Sequence, residues 1–125
     1  MRILYIDDTA YWRNTYAKAF REAGIKIETL PDARGDIVKS ASDFQPNLIL
    51  LDISMPEVNG FDAIKILKND ERTKNFPVFF FSNINSPDYI KKGLELGAEK
   101  YLVKGDCQPE EVIKICLKWL NRPGN

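Results

Sequence analysis

Four short apolar runs constrain the fold of this chain more than any other feature, because none of them alternates between apolar and polar residues. A strand that is apolar at successive positions is buried on both faces, which is typical of a parallel sheet covered by helices. The runs, with the polar residues that follow them, are 3–6 with Asp7 and Asp8, 48–51 with Asp52, 78–81 with Ser82, and 101–103 with Lys104. Because the carboxyl ends of parallel strands lie at one edge of a sheet, we expect these side chains to meet there.

Helical periodicity fills the intervals between the runs, and a further strand is predicted at 26–30. The predicted helices span residues 10–23, 33–44, 61–69, 87–96 and 109–120. Ser86, Pro87 and Asp88 form a helix start, in which we expect the Ser86 hydroxyl to cap the backbone. Five repeats of strand and helix with short connections predict an α/β fold with right-handed crossovers.

Composition narrows the function without naming it. With 125 residues the chain fits one domain, and its net charge of zero argues against nucleic acid or an anionic membrane as a direct partner. The apolar runs are strand-sized and the first begins next to Met1, so we expect a cytoplasmic protein without a signal peptide.

Two residue types limit the chemistry. The absence of histidine excludes Ser-His and Cys-His catalysis and histidine-ligated metals. Cys107 and Cys116 would lie roughly 13 Å apart along a helix. A disulfide needs Cα atoms within about 7 Å, so we expect both thiols to be free.

Three carboxylates at one edge predict a metal site. Asp7, Asp8 and Asp52 would repel one another, and at least one of them should have a pKa well above the ordinary carboxylate value. A divalent cation removes that penalty, and an all-oxygen donor set suits Mg²⁺, with Mn²⁺ as a substitute. Lys104 would add positive charge, which phosphoryl transfer requires around the equatorial oxygens.

Each of these residues also has a simpler interpretation. Asp7 and Asp8 could cap the first helix, and Asp52 could be an ordinary turn residue. Ser82 could be a hydroxyl at a strand end, and Lys104 a solvated charge. All five would then have reached one rim by chance, so together they favour the chemical interpretation.

The whole chain resembles the receiver domain of bacterial two-component response regulators. The resemblance rests on the polar residues named above and on residues 51–62, LDISMPEVNGFD, which are similar to the acceptor loop of that family. It implies a flavodoxin-like (βα)5 sandwich of three layers, with five parallel strands in the order 2-1-3-4-5. The receiver domain would span 1–121, with 122–125 as a tail or the stub of a linker.

The resemblance also implies roles for the acidic residues. Asp52 would be the phospho-acceptor and a metal ligand, phosphorylated by a sensor histidine kinase or a histidine phosphotransfer protein. Asp8 would bind Mg²⁺ directly, Asp7 partly through water, and Ser54 through its backbone carbonyl. The protein would catalyse only its own phosphotransfer and autodephosphorylation, and would not be an enzyme acting on other substrates.

Further roles follow for the hydroxyl, the lysine and an aromatic residue. Ser82 would bind a phosphoryl oxygen, and Lys104 would pair with Asp52 at rest and with the phosphate afterwards. Tyr101 would turn inward with Ser82 and the loop through Ile84. This change would alter a partner or homodimer surface made of the fourth helix, the fifth strand and the fifth helix.

Two positions depart from the family pattern. Gly105 follows the lysine where many receivers carry proline, and we expect a trans turn shaped by the glycine. Asn83 stands where a small residue is frequent and could alter access to the phosphoryl site. Ile84 carries no group to orient water, which predicts a long-lived phosphoryl group.

Three alternatives stay open at this level. A flavin-binding module would need hydroxyls and glycines in its first loop, where this chain has Asp7 and Asp8. An aspartate-dependent phosphohydrolase would carry a second acid at the position of Ser54. A degenerate receiver would act as a phosphorylation-independent interaction module.

Overall fold

The computed structural model describes residues 1–124, which form a five-stranded parallel sheet in the order β2-β1-β3-β4-β5. The strands are β1 Arg2–Ile6, β2 Lys26–Leu30, β3 Leu48–Leu51, β4 Val78–Ser82 and β5 Lys100–Val103. The helices are α1 Ala10–Glu22, α2 Ile37–Phe44, α3 Gly60–Lys68, α4 Pro87–Glu95 and α5 Pro109–Leu120. The strand order predicted from the family resemblance is therefore confirmed.

Helices cover both faces of the sheet, which explains why the four apolar runs do not alternate with polar residues. Alternate strand residues point to opposite faces. Leu4, Ile49 and Phe80 pack with residues of α2 and α3 on one face. Ile3 and Phe79 pack with residues of α1 and α5 on the other face. The result is a three-layer sandwich in which the central strands lie wholly in the core.

One helix start and one helix cap differ from the sequence prediction. Residues 33–36 were predicted as the start of the second helix, but α2 begins at Ile37, after the Asp36 side chain accepts a hydrogen bond of 3.0 Å from the Lys39 amide. Ala33 is buried in the preceding loop, so its apolar character reflects packing and not helix formation. Helix α4 begins at Pro87, as predicted. The predicted Ser86 cap is wrong, however, because the Ser86 side chain makes no capping hydrogen bond.

The turn after β5 is only partly as predicted. Residues Lys104–Asp106 form a 3₁₀ turn, and the peptide bonds of residues 1–124 are all trans. The turn is not shaped by glycine, however, because the φ of Gly105 lies outside the left-handed region and a Cβ there would meet no atom within 4 Å.

Two further observations concern the rest of the described chain. Cys107 and Cys116 are free thiols, as expected from their separation along the chain. Among the helices of residues 1–124, none combines the length and the apolar character that crossing a membrane requires.

Candidate functional site

The pairing of the central strands brings the three aspartates together at the carboxyl edge. Ile6 pairs with Leu51, and the Asp52 amide continues the ladder by donating to the Ile6 carbonyl at 2.9 Å. One carboxylate oxygen each from Asp7, Asp8 and Asp52 lies within 4.8 Å of the other two. Asp7 and Asp52 are buried, whereas Asp8 is exposed. The structure therefore contains the acidic cluster that the sequence predicted.

Both oxygens of the Asp7 carboxylate have donors. Oδ2 accepts from the Tyr5 hydroxyl at 2.6 Å and from Lys104 Nζ at 2.5 Å. Oδ1 accepts from the Thr9 amide at 2.9 Å. Thr9, and neither aspartate, is the residue at the N-cap of α1, so the simpler helix-cap interpretation of Asp7 and Asp8 is wrong.

Lys104 is buried inside the site and is not a solvated edge charge. Its Nζ lies 2.5 Å from Asp7 Oδ2 and 3.6 Å from Asp52 Oδ2. The rings of Trp12 and Phe81 flank the ammonium group, with centroids 5.2 Å and 5.6 Å from Nζ. The ion pair with Asp52 is present, but the hydrogen-bonded partner is Asp7.

Burial and the neighbouring carboxylates together hold the pKa of Asp52 above its ordinary value. Burial raises the pKa of Asp52 to about 6, and the charges of Asp7 and Asp8 act in the same direction. Lys104 and the Ile53 amide, which donates to Asp52 Oδ1 at 2.8 Å, oppose this rise. The predicted upward shift is confirmed, but its largest cause is burial rather than mutual repulsion.

A cavity of about 250 Å³ opens onto this cluster. The cavity is lined by Asp8, Thr9, Trp12, Asp52, Ser54, Ser82, Asn83, Ile84 and Lys104. Asp7 is not among these residues and lies behind the wall of the cavity. The predicted site residues at the ends of β1, β3, β4 and β5 thus surround one small polar space, with Asn83 at its edge.

Residue Ile84 connects Ser82 to Tyr101. The Ile84 amide donates to Ser82 Oγ at 3.2 Å, and the Tyr101 hydroxyl donates to the Ile84 carbonyl at 2.7 Å. The Tyr101 ring is half-buried, and its centroid lies 6.1 Å from that of Phe80. Two hydrogen bonds through Ile84 therefore link the Ser82 side chain at the end of β4 to the Tyr101 side chain on β5.

The loop after β3 is held in place by a close approach at Gly60. A Cβ on Gly60 would lie 2.3 Å from the Asp52 carbonyl oxygen and 2.8 Å from Ile53 Cα. The Gly60 amide also donates to the Ile53 carbonyl at 2.9 Å. Glycine is required here because any side chain would displace the backbone that carries Asp52.

Three contributors to the site were missed by the sequence analysis. Thr9 lines the cavity, and its amide donates to Asp7 Oδ1. Trp12 lies in the predicted helix 10–23 and was not singled out, but it lines the cavity beside Lys104. Tyr5 was read only as part of an apolar strand. Its position two residues before Asp7 was the available signal, because residues i and i+2 of a strand point to the same face.

The donor set fits a hard divalent cation. Three carboxylates offer oxygen ligands within a small space, and such a donor set suits hard cations such as Mg²⁺ or Mn²⁺. Lys104 balances one of the two buried negative charges, so a dication would relieve the remaining repulsion. Ser54 lines the same cavity.

Comparisons with known proteins agree with this arrangement. The family model described as "Response regulator receiver domain" matches residues 3–116. The two-component response regulator ORR3 of Oryza sativa subsp. indica is 31% identical over 114 residues, covering 91% of this chain and 86% of that protein. The gliding motility regulatory protein of Myxococcus xanthus is 33% identical over 106 residues, which are 85% of this chain and 14% of that protein.

Solved structures show the same architecture. The chemotaxis protein CheY4 of Vibrio cholerae, crystallised at low pH, superimposes with a TM-score of 0.84 at 26% identity, covering 94% of this chain and 96% of that one. The BeF3-activated N-terminal receiver domain of Klebsiella pneumoniae RstA superimposes with a TM-score of 0.87 at 19% identity. That second match covers 98% of this chain and 100% of that one and bears on the fold alone.

Proposed function

The chain belongs to the family of response regulator receiver domains, and we propose that it accepts a phosphoryl group on Asp52 in a Mg²⁺-dependent reaction. Receiver domains of this family interact with histidine kinases and phosphotransfer proteins, and we propose a phosphohistidine of such a partner as the donor. The observation that carries the proposal is the position of Asp52, buried beside two further carboxylates yet open to the cavity shared with Ser82 and Lys104.

The proposed transfer has one covalent step. An Asp52 carboxylate oxygen forms a bond to phosphorus while the bond from phosphorus to the imidazole nitrogen of the donor breaks, and the imidazole keeps the electron pair. Lys104 would move from its carboxylate partners to a phosphoryl oxygen, and Ser82 would donate its hydroxyl to another. Bound Mg²⁺, held by Asp7, Asp8, Asp52 and the Ser54 carbonyl, would neutralise charge on the equatorial oxygens.

In the proposed reaction the protein is itself the phosphoryl acceptor and does not turn over a separate substrate. The phosphoryl group stays on Asp52 until water removes it, so the chain would catalyse only its own phosphotransfer and autodephosphorylation. A hydrolase would need an acid or base to release product repeatedly. Residue 54, two positions after the nucleophile, is a serine, which supports the receiver interpretation.

The hydrogen bonds of Ile84 support a switch. If Ser82 moves toward the phosphoryl group, the Ile84 amide follows it, and the bond from the Tyr101 hydroxyl to the Ile84 carbonyl breaks or moves with it. The half-buried Tyr101 ring would then turn inward. This step would change the surface of α4, β5 and α5, which we propose as the partner or homodimer surface.

We also propose that residues 1–121 form the receiver domain. Helix α5 ends at Leu120, and Arg122 folds back so that its guanidinium lies 3.8 Å from the Trp119 ring centroid. The predicted tail or linker stub, 122–125, therefore begins with a residue packed on α5, while Asn125 lies outside the described residues.

Mass spectrometry of protein treated with acetyl phosphate tests the proposal. We expect the wild type to gain one phosphoryl group in Mg²⁺ or Mn²⁺ and none in EDTA, and Asp52→Asn to gain none in either. Asp106→Asn, which removes an exposed carboxylate near Lys104, serves as the matched control and should behave as the wild type. An adduct on Asp52→Asn would overturn the proposal by showing that another residue is the acceptor. No adduct on the wild type would overturn it in favour of a degenerate receiver.

A further inference from the structure

A buried tyrosine supports the acidic cluster from inside the core. Tyr5 is the penultimate residue of β1 and has no solvent exposure, among the aromatic rings between the sheet and α1. Its ring centroid lies 6.2 Å from that of Tyr16 and 6.0 Å from that of Phe81. Only its hydroxyl is polar, and that hydroxyl donates to Asp7 Oδ2 at 2.6 Å.

This hydrogen bond is of a strong kind. A hydroxyl bound to a carboxylate at 2.5–2.7 Å is a charge-assisted hydrogen bond, which is roughly twice as strong as a neutral one. The surroundings exclude water, so Asp7 would find no replacement donor if the hydroxyl were removed. Tyr5 therefore makes a specific polar contact at a position where packing alone would require only an apolar side chain.

The contact fixes the orientation of the Asp7 carboxylate. Oδ2 is held by Tyr5 and Lys104, while Oδ1 is held by the Thr9 amide. Lys104 is shared with Asp52 and lines the cavity, so it is the donor that ligand binding would disturb. Tyr5 lies on the closed side of Asp7, where an incoming ligand does not reach. The hydroxyl of Tyr5 is thus the side-chain donor that stays with Asp7 throughout.

We propose that Tyr5 is a positioning residue for divalent-cation binding, acting through Asp7. The inference rests on the proposed function, because it concerns the same acidic cluster. Partners behind the ligands of a metal site hold those ligands in orientation, and their removal typically weakens metal affinity about 10- to 100-fold. Tyr5 is such a partner, because its hydroxyl holds the Asp7 carboxylate from the side away from the cavity.

The test compares Tyr5→Phe with a matched control. Tyr16→Phe also removes a buried hydroxyl from the same aromatic cluster, but the Tyr16 hydroxyl makes no hydrogen bond within residues 1–124. Titration with Mg²⁺, followed by the fluorescence of Trp12 beside the site, gives the dissociation constant. We expect Tyr5→Phe to raise this constant about 10-fold and Tyr16→Phe to change it less than about 2-fold.

A second measurement separates positioning from a general structural role. The rate of phosphorylation by acetyl phosphate should shift to higher Mg²⁺ concentration in Tyr5→Phe and return to the wild-type value at saturation. An unchanged dissociation constant, an equal change in both variants, or a rate that stays low at saturating Mg²⁺ would overturn the inference. Wild-type protein that neither binds Mg²⁺ nor gains a phosphoryl group would overturn the proposed function as well.

A measurement on the wild type covers the case in which Tyr5→Phe does not fold. The buried hydroxyl proton of Tyr5 should be visible by NMR as a slowly exchanging signal close to the Asp7 side chain. Addition of Mg²⁺ should shift this signal, because the cation withdraws electron density from the carboxylate that accepts the proton. A signal that Mg²⁺ leaves unmoved would contradict the coupling between Tyr5 and the metal site.

Discussion

Removing the Asp52 carboxylate should stabilise the metal-free protein. The folded structure raises the pKa of Asp52 from 3.8 to about 6. One pKa unit corresponds to about 1.36 kcal/mol, so ionised Asp52 costs the folded state about 3 kcal/mol of stability at neutral pH. Asp52→Asn removes this cost and keeps an oxygen that can accept the hydrogen bond from the Ile53 amide.

The sign of the effect follows from the direction of the shift. Because the folded pKa is raised, the unfolded chain releases the Asp52 proton first as the pH increases. The contribution of Asp52 to the stability of the wild type is therefore fully present below the unfolded pKa and is lost between about pH 4 and about pH 6. The Asp52→Asn variant lacks this titration, so the wild type should lose about 2 kcal/mol relative to it between about pH 4.5 and about pH 7.5.

Urea unfolding followed by circular dichroism measures this difference at the two pH values in EDTA. Asp106→Asn is the control, and its difference from the wild type should stay nearly constant because the carboxylate is exposed. Excess Mg²⁺ should restore the wild type at the higher pH, since a ligand that binds only the folded state stabilises it. If the gap between wild type and Asp52→Asn stays constant or narrows as the pH rises, the electrostatic account is wrong.

Three further predictions concern the scaffold and the switch. Gly60→Ala should destabilise the protein by about 1–3 kcal/mol and weaken Mg²⁺ binding, because the new Cβ would meet the Asp52 carbonyl. Urea unfolding and Mg²⁺ titration check this, with Gly105→Ala as the control, since a Cβ at Gly105 meets no atom within 4 Å. Tyr101→Phe removes a hydrogen bond worth about 1 kcal/mol that stabilises the resting state. The variant should therefore bind beryllofluoride up to about 5-fold more tightly, and weaker binding would contradict the switch. Ile84→Asn should shorten the lifetime of the phosphoryl group in a quenched time course, and an equal decay rate would refute the idea that Ile84 fails to orient water.

The sequence predicted the strands and most of the polar residues around the cavity, but not the contributions of Thr9 and Trp12. Apolar runs and the residues after them identify the ends of parallel strands at one edge of the sheet. The strand order implied by the family resemblance then places β1 next to β3, and so Asp52 beside Asp7 and Asp8. Residues 33–36 were less predictable, because Ala33 is buried by its loop and not by a helix. A buried alanine in a loop and one in a helix give the same local pattern.

The side-chain geometry depended on tertiary contacts that no local pattern contains. Lys104 Nζ lies 2.5 Å from Asp7 Oδ2 but 3.6 Å from Asp52 Oδ2, and this difference of about an ångström makes Asp7 its hydrogen-bonded partner. The alternation of a strand could have placed Tyr5 on the same face as Asp7, but only the structure shows that its hydroxyl reaches Oδ2. Packing from α1, α5 and β4 sets those distances.

The arrangement of donors around Asp7 explains how Lys104 could change partners at low cost. A buried carboxylate that loses its only cation is strongly destabilised, which would hold the lysine in place. Here Asp7 keeps the Tyr5 hydroxyl and the Thr9 amide when Lys104 leaves, so its oxygens stay hydrogen-bonded. In the proposed reaction, Lys104 could then follow the negative charge from Asp7 to the phosphoryl group on Asp52. The Tyr5 hydroxyl, which orients the Asp7 carboxylate, would thereby leave Lys104 free to bind the phosphoryl group on Asp52.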